Sequence, residues 1–167
     1  MQMKDINLVL TKLKEKFGPQ VMASDMTGDV PTITVDVSEI YNVIDFLKND
    51  TDCQFMFLTD LCGIHFPDME KQLGIIYHLH NLKDNIRIRV KTFVPENKPE
   101  VPTVTPLFES ANWMERETYD FYGIIFTGHP NLKRILNVEY LDFFPMRKEI
   151  PLEDPTRDDK DNRFFGR

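Results

Sequence analysis

The chain has 167 residues, with 27 acidic side chains against 20 basic ones and a formal net charge of −7. That length bounds one domain with at most an appended tail, and the excess of acid argues against a nucleic-acid binder, which needs clustered Lys and Arg. An apolar content of 41% supports a self-sufficient core, and no apolar run approaches the roughly 20 residues of a membrane span.

Ile6, Leu10, Leu13 and Phe17 recur at three- and four-residue spacing before Gly18-Pro19, which predicts a short amphipathic opening helix. Residues 1–10 carry acid and polar side chains, lack a small-residue cleavage site and do not read as a signal peptide. Residues 20–26 and 31–37 read as two short strands about the turn Thr27-Gly28-Asp29, the second alternating with period two. Ser38 is expected to cap a helix whose apolar face is Ile40, Val43, Ile44 and Leu47, ending near Asn49-Asp50. Three further strands are expected at 54–66, 72–82 and 86–94, turned by Asp68 and by Asp84-Asn85. This order implies an α+β fold, a mixed sheet with helices packed on one face.

Four prolines between Pro95 and Pro106 predict an extended connector without regular structure. Thr105-Pro106 is expected to open a helix, the hydroxyl capping it and proline taking the first position, and Gly123 to end it. On that helix Leu107, Ala111, Met114, Thr118 and Phe121 form one apolar stripe, with Arg116 opposite and Glu115 and Glu117 flanking. Residues 145–167 then carry six basic and six acidic side chains and three prolines, too little apolar surface to fold alone. The expected domains are therefore a globular body, 1–144, and an extended docking arm, 145–167, that orders on a partner. Arg147 is by residue type its best carboxylate holder and Phe164-Phe165 its apolar anchor, and ending the chain after Phe144 should leave the body's melting almost unchanged while assembly with its partner is lost.

Candidate chemistry is thin. Cys53 and Cys62 are too few for an iron–sulfur or zinc site and read as small core residues, which suits a reducing compartment. His78 and His80 share a strand face, and with His65 they could form a three-histidine metal site; the stronger reading is of ordinary sheet-face polar groups. Glu115 and Glu117 stand nearly opposite on a helix and cannot converge on a substrate, whereas Arg116 and Asp120 can pair along it. His129, between Gly128 and Pro130, is read as capping backbone groups in preference to shuttling a proton. Trp113 is either a contact anchor or a buried wedge.

The run Glu115-Arg116-Glu117-x-x-Asp120-x-x-Gly123-Ile124-x-Phe126-x-Gly128-His129-Pro130-x-Leu132-x-Arg134-Ile135-Leu136 resembles the signature of the 30 kDa subunit, or C subunit, of respiratory complex I (NADH:quinone oxidoreductase). Phe57-Leu58-x-Asp60-Leu61, Tyr77-His78-Leu79 and Arg87-Ile88-x-Val90-Lys91 also look like strands of that family. The chain departs from it at Cys62-Gly63-Ile64-His65 and at Phe143-Phe144-Pro145, where a second Gly-His-Pro is usual, but Arg147-Lys148 followed by an acid remains. The resemblance implies a cofactor-free scaffold subunit of a peripheral arm on the cytoplasmic side of the inner membrane. It implies contacts with the D subunit (the 49 kDa type, which lines the quinone cavity) and with the B and I subunits, while FMN and iron–sulfur clusters reside in partner chains. On this resemblance Glu115, Arg116, Glu117, Asp120, Gly123, Gly128, His129, Pro130, Arg134, Arg147 and Lys148 are signature and interface residues, none of them catalytic. The corresponding subunit of a related hydrogenase or other donor:quinone oxidoreductase is the nearest alternative, and a free-standing enzyme using His78, His80 or His129 the alternative from another class.

Overall fold

The structure, a computed structural model, describes residues 6–25, 28 and 30–151. Helix α1 (Ile6–Phe17) buries Val9, Leu10 and Leu13 and is stopped by a 3-10 turn at Gly18–Gln20, where Gly18 takes a left-handed φ of 50° and proline follows. Strands β1 (Val21–Asp25) and β2 (Thr32–Val35) pair antiparallel, and α2 (Ile40–Asn49) presents Ile40, Val43, Ile44 and Leu47 to the core as its spacing requires. The three strands β3 (Phe57–His65), β4 (Leu73–Asn81) and β5 (Ile86–Val94) form an antiparallel meander. Strand β2 joins β5 in parallel, so the sheet runs β1-β2-β5-β4-β3 and is mixed, as expected.

One face of that sheet carries the core. Leu73, Ile75, Tyr77 and Leu79 of β4 and Ile88, Val90, Thr92 and Val94 of β5 are buried, and the apolar faces of α1 and α2 join them in one cluster. Full burial of each such aliphatic side chain stabilises by about 1.5–3 kcal/mol, which is what fixes the register of strands with alternating pattern. Cys53 is buried in this cluster, the core role expected of it, whereas Cys62 is only half-buried on β3 and lies outside the cluster.

Three local expectations are corrected. Ser38 does not cap α2: Glu39 occupies the N-cap position, while Ser38 donates from its N–H at 3.1 Å and its hydroxyl at 2.9 Å to Asp36 Oδ1. Serine here serves a side-chain-closed turn, the conformation that competes with capping. The proline-rich connector is not free of regular structure, because β6 (Glu100–Pro102) pairs in parallel with β7 (Ile125–Thr127). The pairing uses the Pro99 carbonyl, which accepts from Ile125 N–H at 2.7 Å, and the Thr103 N–H, which donates to Thr127 O at 3.0 Å, so the missing proline donors are not needed there. Finally, Thr105-Pro106 lies in a turn closed by Leu107 and Phe108 N–H groups on Val104 O, and helix α3 (Ala111–Tyr122) begins six residues after Thr105 with Ser110 at its N-cap. Gly123 ends α3 in the left-handed region, φ 75°, as read from the sequence.

Helix α3 lies along β3, with the Tyr122 ring seated on Gly63. A Cβ on Gly63 would stand 2.4 Å from Tyr122 Cδ2, so this contact requires glycine. Gly63→Ala is expected to lower stability by about 1–3 kcal/mol through overpacking. A shift of the urea midpoint at unchanged slope measures it, and an unchanged midpoint would show that the ring yields freely.

Candidate functional site

The signature residues gather where α3, β7 and the segment after β7 meet. Their side chains divide about two buried carboxylates. Glu115 is unexposed and accepts from the Thr103 hydroxyl at 2.5 Å and from Val104 N–H at 2.7 Å. His129 lies 3.9 Å away through Nε2, its own hydrogen bonds going elsewhere. Nδ1 of His129 accepts from Asn131 N–H at 3.0 Å, so Nε2 carries the ring proton and donates to Asn112 O at 3.1 Å. The ring ties the loop after β7 to the start of α3, the backbone-capping geometry anticipated for it. Gly128 beside it has φ 83°, which suits glycine in the sharp exit from β7.

Asp120 is likewise unexposed but far better served. Its Oδ1 accepts from Arg134 Nη1 at 2.8 Å and Asn137 Nδ2 at 3.1 Å. Its Oδ2 accepts from the N–H groups of Ile135, Leu136 and Asn137 at 3.1, 2.8 and 2.9 Å. The other arm of Arg134 donates to the carbonyls of Leu141 and Phe143, and its guanidinium stacks 5.0 Å from the Phe144 ring. Phe144 in turn covers Gly123, where a Cβ would stand 2.5 Å from the ring. An irregular strap, residues 132–150, is thereby clamped across the end of α3.

Arg116 does not pair with Asp120, contrary to expectation, since Asp120 is taken by Arg134. Its Nε donates to Lys133 O at 3.3 Å, its other arm reaches Arg134 O at 3.5 Å, and its guanidinium lies 5.2 Å from the Trp113 ring. The strap covers it, which is why a residue opposite the apolar stripe is only 8% exposed. Trp113 is 61% exposed, so it is no buried wedge. Glu117 is exposed while Glu115 is buried, and the two do not converge.

The arm expected from residue 145 begins on the body itself. Arg147 Nε donates to Tyr122 O at 2.8 Å, its Nη1 meets Glu96 at 2.5 Å, and the guanidinium lies 4.9 Å from Phe144. Lys148 N–H donates to His65 Nδ1 at 3.0 Å, and Met146 N–H to Phe121 O. Arg147 therefore holds carboxylate and carbonyl within its own chain, a correction made possible by the open helix C-terminus, whose carbonyls need donors. The remainder of the arm, with Phe164-Phe165, lies outside the described residues. The three histidines do not meet: His65 pairs across from Leu73 and is engaged by Lys148, His78 by Asp60 and Arg89, His80 by Asn85. Thr103, Asn112 and Asn137 were missed as parts of the network. Only Thr103 carried a signal, as an uncharged polar residue in the connector, directly after the segment that proved to be β6.

The two carboxylates titrate in opposite directions. Burial pushes the Glu115 carboxyl up to about 7, against the pull of Thr103 and Val104. Burial acts the same way on Asp120, but the bonds from Asn137, Arg134, Leu136 and Ile135 prevail and hold it well below the usual carboxylate range. Burial also raises the Cys53 thiol to about 12 and the Cys62 thiol to about 11.

A sheet of this order followed by a strap-clamped helix is a fold shared with a chain of the membrane-bound sulfane sulfur reductase, an archaeal respiratory membrane complex, at a TM-score of 0.74 and 21% identity over 87% of this chain and 85% of that one. It is also similar to the trypsin-resistant fragment (1–134) of Nqo5, with a TM-score of 0.65 and 31% identity over 76% of this chain and 98% of the fragment. The family model described as respiratory-chain NADH dehydrogenase, 30 Kd subunit, matches residues 33–156, and the chain belongs to that family. Among its relatives, the C subunit of the NADH-quinone oxidoreductase of Methylobacterium sp. (strain 4-46) is 43% identical over 84% of this chain and 65% of its own length. The NADH-ubiquinone oxidoreductase subunit 9 of Reclinomonas americana is 41% identical over 90% of this chain and 72% of its own length. The chain thus spans 65%, 57% and 62% of the length of three such bacterial relatives. Among the described residues no helix is long and apolar enough to cross a membrane.

Asp120→Ala is expected to destabilise by about 3–5 kcal/mol, because Arg134 and three N–H groups would lose their buried acceptor; chemical denaturation measures it. For Glu115 the folded state holds its proton to higher pH than the unfolded chain does. Stability should therefore fall as pH rises from the ordinary carboxyl value of 4.5 to about 7 and level off above. Glu115→Gln should flatten that slope in melting curves taken across the same range, and a slope that survives the substitution would place its origin elsewhere.

Proposed function

We propose that this chain is a cofactor-free scaffold subunit in the peripheral arm of a proton-pumping NADH:quinone oxidoreductase. It holds the 49 kDa-type D subunit, which lines the quinone cavity, and the neighbouring B and I subunits on the cytoplasmic side of the membrane. Electrons pass from NADH to quinone through FMN and iron–sulfur clusters of partner chains, and this chain keeps those partners in register. The observation that carries the reading is the closed state of the signature cluster. Arg116, Asp120 and Arg134 spend their hydrogen bonds binding strap to helix, Glu115 binds the helix to the segment after β6 and His129 to the loop after β7, so these five groups are turned to the chain itself. Family membership supplies the assembly to which such a braced body would belong. The cysteine count agrees with a chain that ligates no cluster, since Cys53 and Cys62 are two thiols where a cluster takes about four. The equivalent chain of a related oxidoreductase with another electron donor differs in its partners, so the co-purifying chains separate the two readings.

The test is affinity isolation of the tagged full chain in mild detergent from its native membranes, with mass spectrometry of the recovered subunits. Flavin and iron–sulfur subunits with NADH:quinone reductase activity are expected; recovery with hydrogenase-type subunits, or alone, overturns the proposal. The isolated chain should show no absorbance above that of its aromatic residues. Arg116→Ala, which unpins the strap, should lower the yield of assembled complex several-fold while leaving turnover per assembled complex near normal.

A further inference from the structure

The sheet face turned away from the core carries a concentration of positive charge that is unexpected in a chain of net charge −7. Because Ile88, Val90 and Thr92 of β5 are buried, Arg87, Arg89 and Lys91 alternate onto the open face. Register places His80 beside Arg87 and His78 beside Arg89, with Phe57 and Asp60 of β3 at one end of those two rows and, in the Arg89 row, Thr32 of β2 and Asp25 of β1 at the other. Part of this charge is internally compensated: Arg89 Nε donates to His78 Nε2 at 2.7 Å, and His78 Nδ1 faces Asp60 at 3.3 Å. Among the described residues Arg87 and Lys91 have no ion-pair partner, and none of the helices turns its apolar face to this side of the sheet. Phe57, 47% exposed, stands at one end of the cationic rows, and Phe66, 42% exposed and 6.3 Å from the Phe93 ring, at the other.

Exposed aromatic rings and arginine are enriched at protein interfaces, where rings anchor and charges, Lys91 among them here, select the partner. A phosphate polymer or an anionic bilayer would gain less, because Asp60 interrupts the positive rows and the whole chain is acidic. We propose that this open sheet face docks a carboxylate-rich surface of another subunit of the same assembly. Arg87 and Lys91 meet its acidic side chains, and Phe57 and Phe66 seat in apolar hollows beside them. The proposal rests on the reading of the chain as an assembly subunit and adds to it the face used and the charge of what it meets.

A zero-length carbodiimide coupler, which joins lysine amines only to carboxyls in direct contact, tests it on the intact native assembly. Lys91 is expected to couple to an Asp or Glu of another subunit. In parallel, the full chain with Arg87→Glu and Lys91→Glu should yield assembled complex at least tenfold below normal, while its own melting temperature matches the parent chain. Coupling of Lys91 only within this chain, or normal assembly of the reversed variant, overturns the docking face even though partner subunits are recovered. Binding of the parent chain to phosphatidylglycerol vesicles that is lost in the reversed variant also overturns it, in favour of a lipid surface. If no partner subunit is recovered at all, the assembly reading itself has failed, and that result is distinct from the others.

Discussion

The fold's second half hangs on the Asp120 carboxylate. Residues 132–150 contain no helix or strand, so their backbone groups need partners that regular structure would otherwise supply. One carboxylate gives three successive N–H groups their acceptor and fixes Arg134, and Arg134 gives two strap carbonyls their donor. From there the chain of dependence is short. Arg134 stacks on Phe144, Phe144 fills the space left open by Gly123, and Arg147 stacks on the same ring while satisfying the Tyr122 carbonyl at the end of α3. A loop of this length becomes a rigid surface because its bonds run to one another, and such networks hold or fail together.

Glu115 and Asp120 show how environment divides the work of two identical chemical groups five residues apart. Asp120 has five donors and stays ionised, so it can organise cations and amides around it. Glu115 has two donors and a buried tyrosine, Tyr77, whose hydroxyl has no partner in the described structure. Burial pushes its carboxyl up to about 7, so it carries its proton to near neutral pH, and a protonated carboxyl can donate as well as accept. One residue is a charged hub, the other a buried carboxyl that changes charge near neutrality between α3, β6 and the loop after β7.

Much of the body could be read from the sequence because the signals were periodic. Alternation in β2, the three-and-four spacing in α1 and α2, and the stops at Gly18-Pro19 and Gly123 each reflect a local constraint that packing then reinforces. The misreadings came where a residue's local habit competed with a distant partner. Ser38 closes a turn on Asp36, Pro99 lends only its carbonyl to a strand pair, and Arg116 and Arg147 find backbone carbonyls that no linear spacing announces. The signature residues could be recognised as a family resemblance, but their partners were not legible, since Asp120 meets a strap fourteen to seventeen residues further on. Burial of charge also ran against the stripe that the sequence drew on α3, because the strap supplies a second inner face.

The parallel pairing of β2 with β5 also has a consequence in time. Strand β2 ends at Val35, and its neighbour on the core side of the sheet begins only at Ile86. During synthesis, the β1–β2 hairpin and the apolar faces of α1 and α2 leave the ribosome before the strand that will seat them exists. At ordinary elongation rates that wait lasts about 3–10 s. For those seconds Ile33, Val35, Ile40, Val43 and Ile44 have no sheet to close on, and the nascent chain is at its most adhesive. Arrival of β5 as the middle strand then lets both halves close at once, so this chain's completion is governed by its central strand and not by the order in which its elements appear.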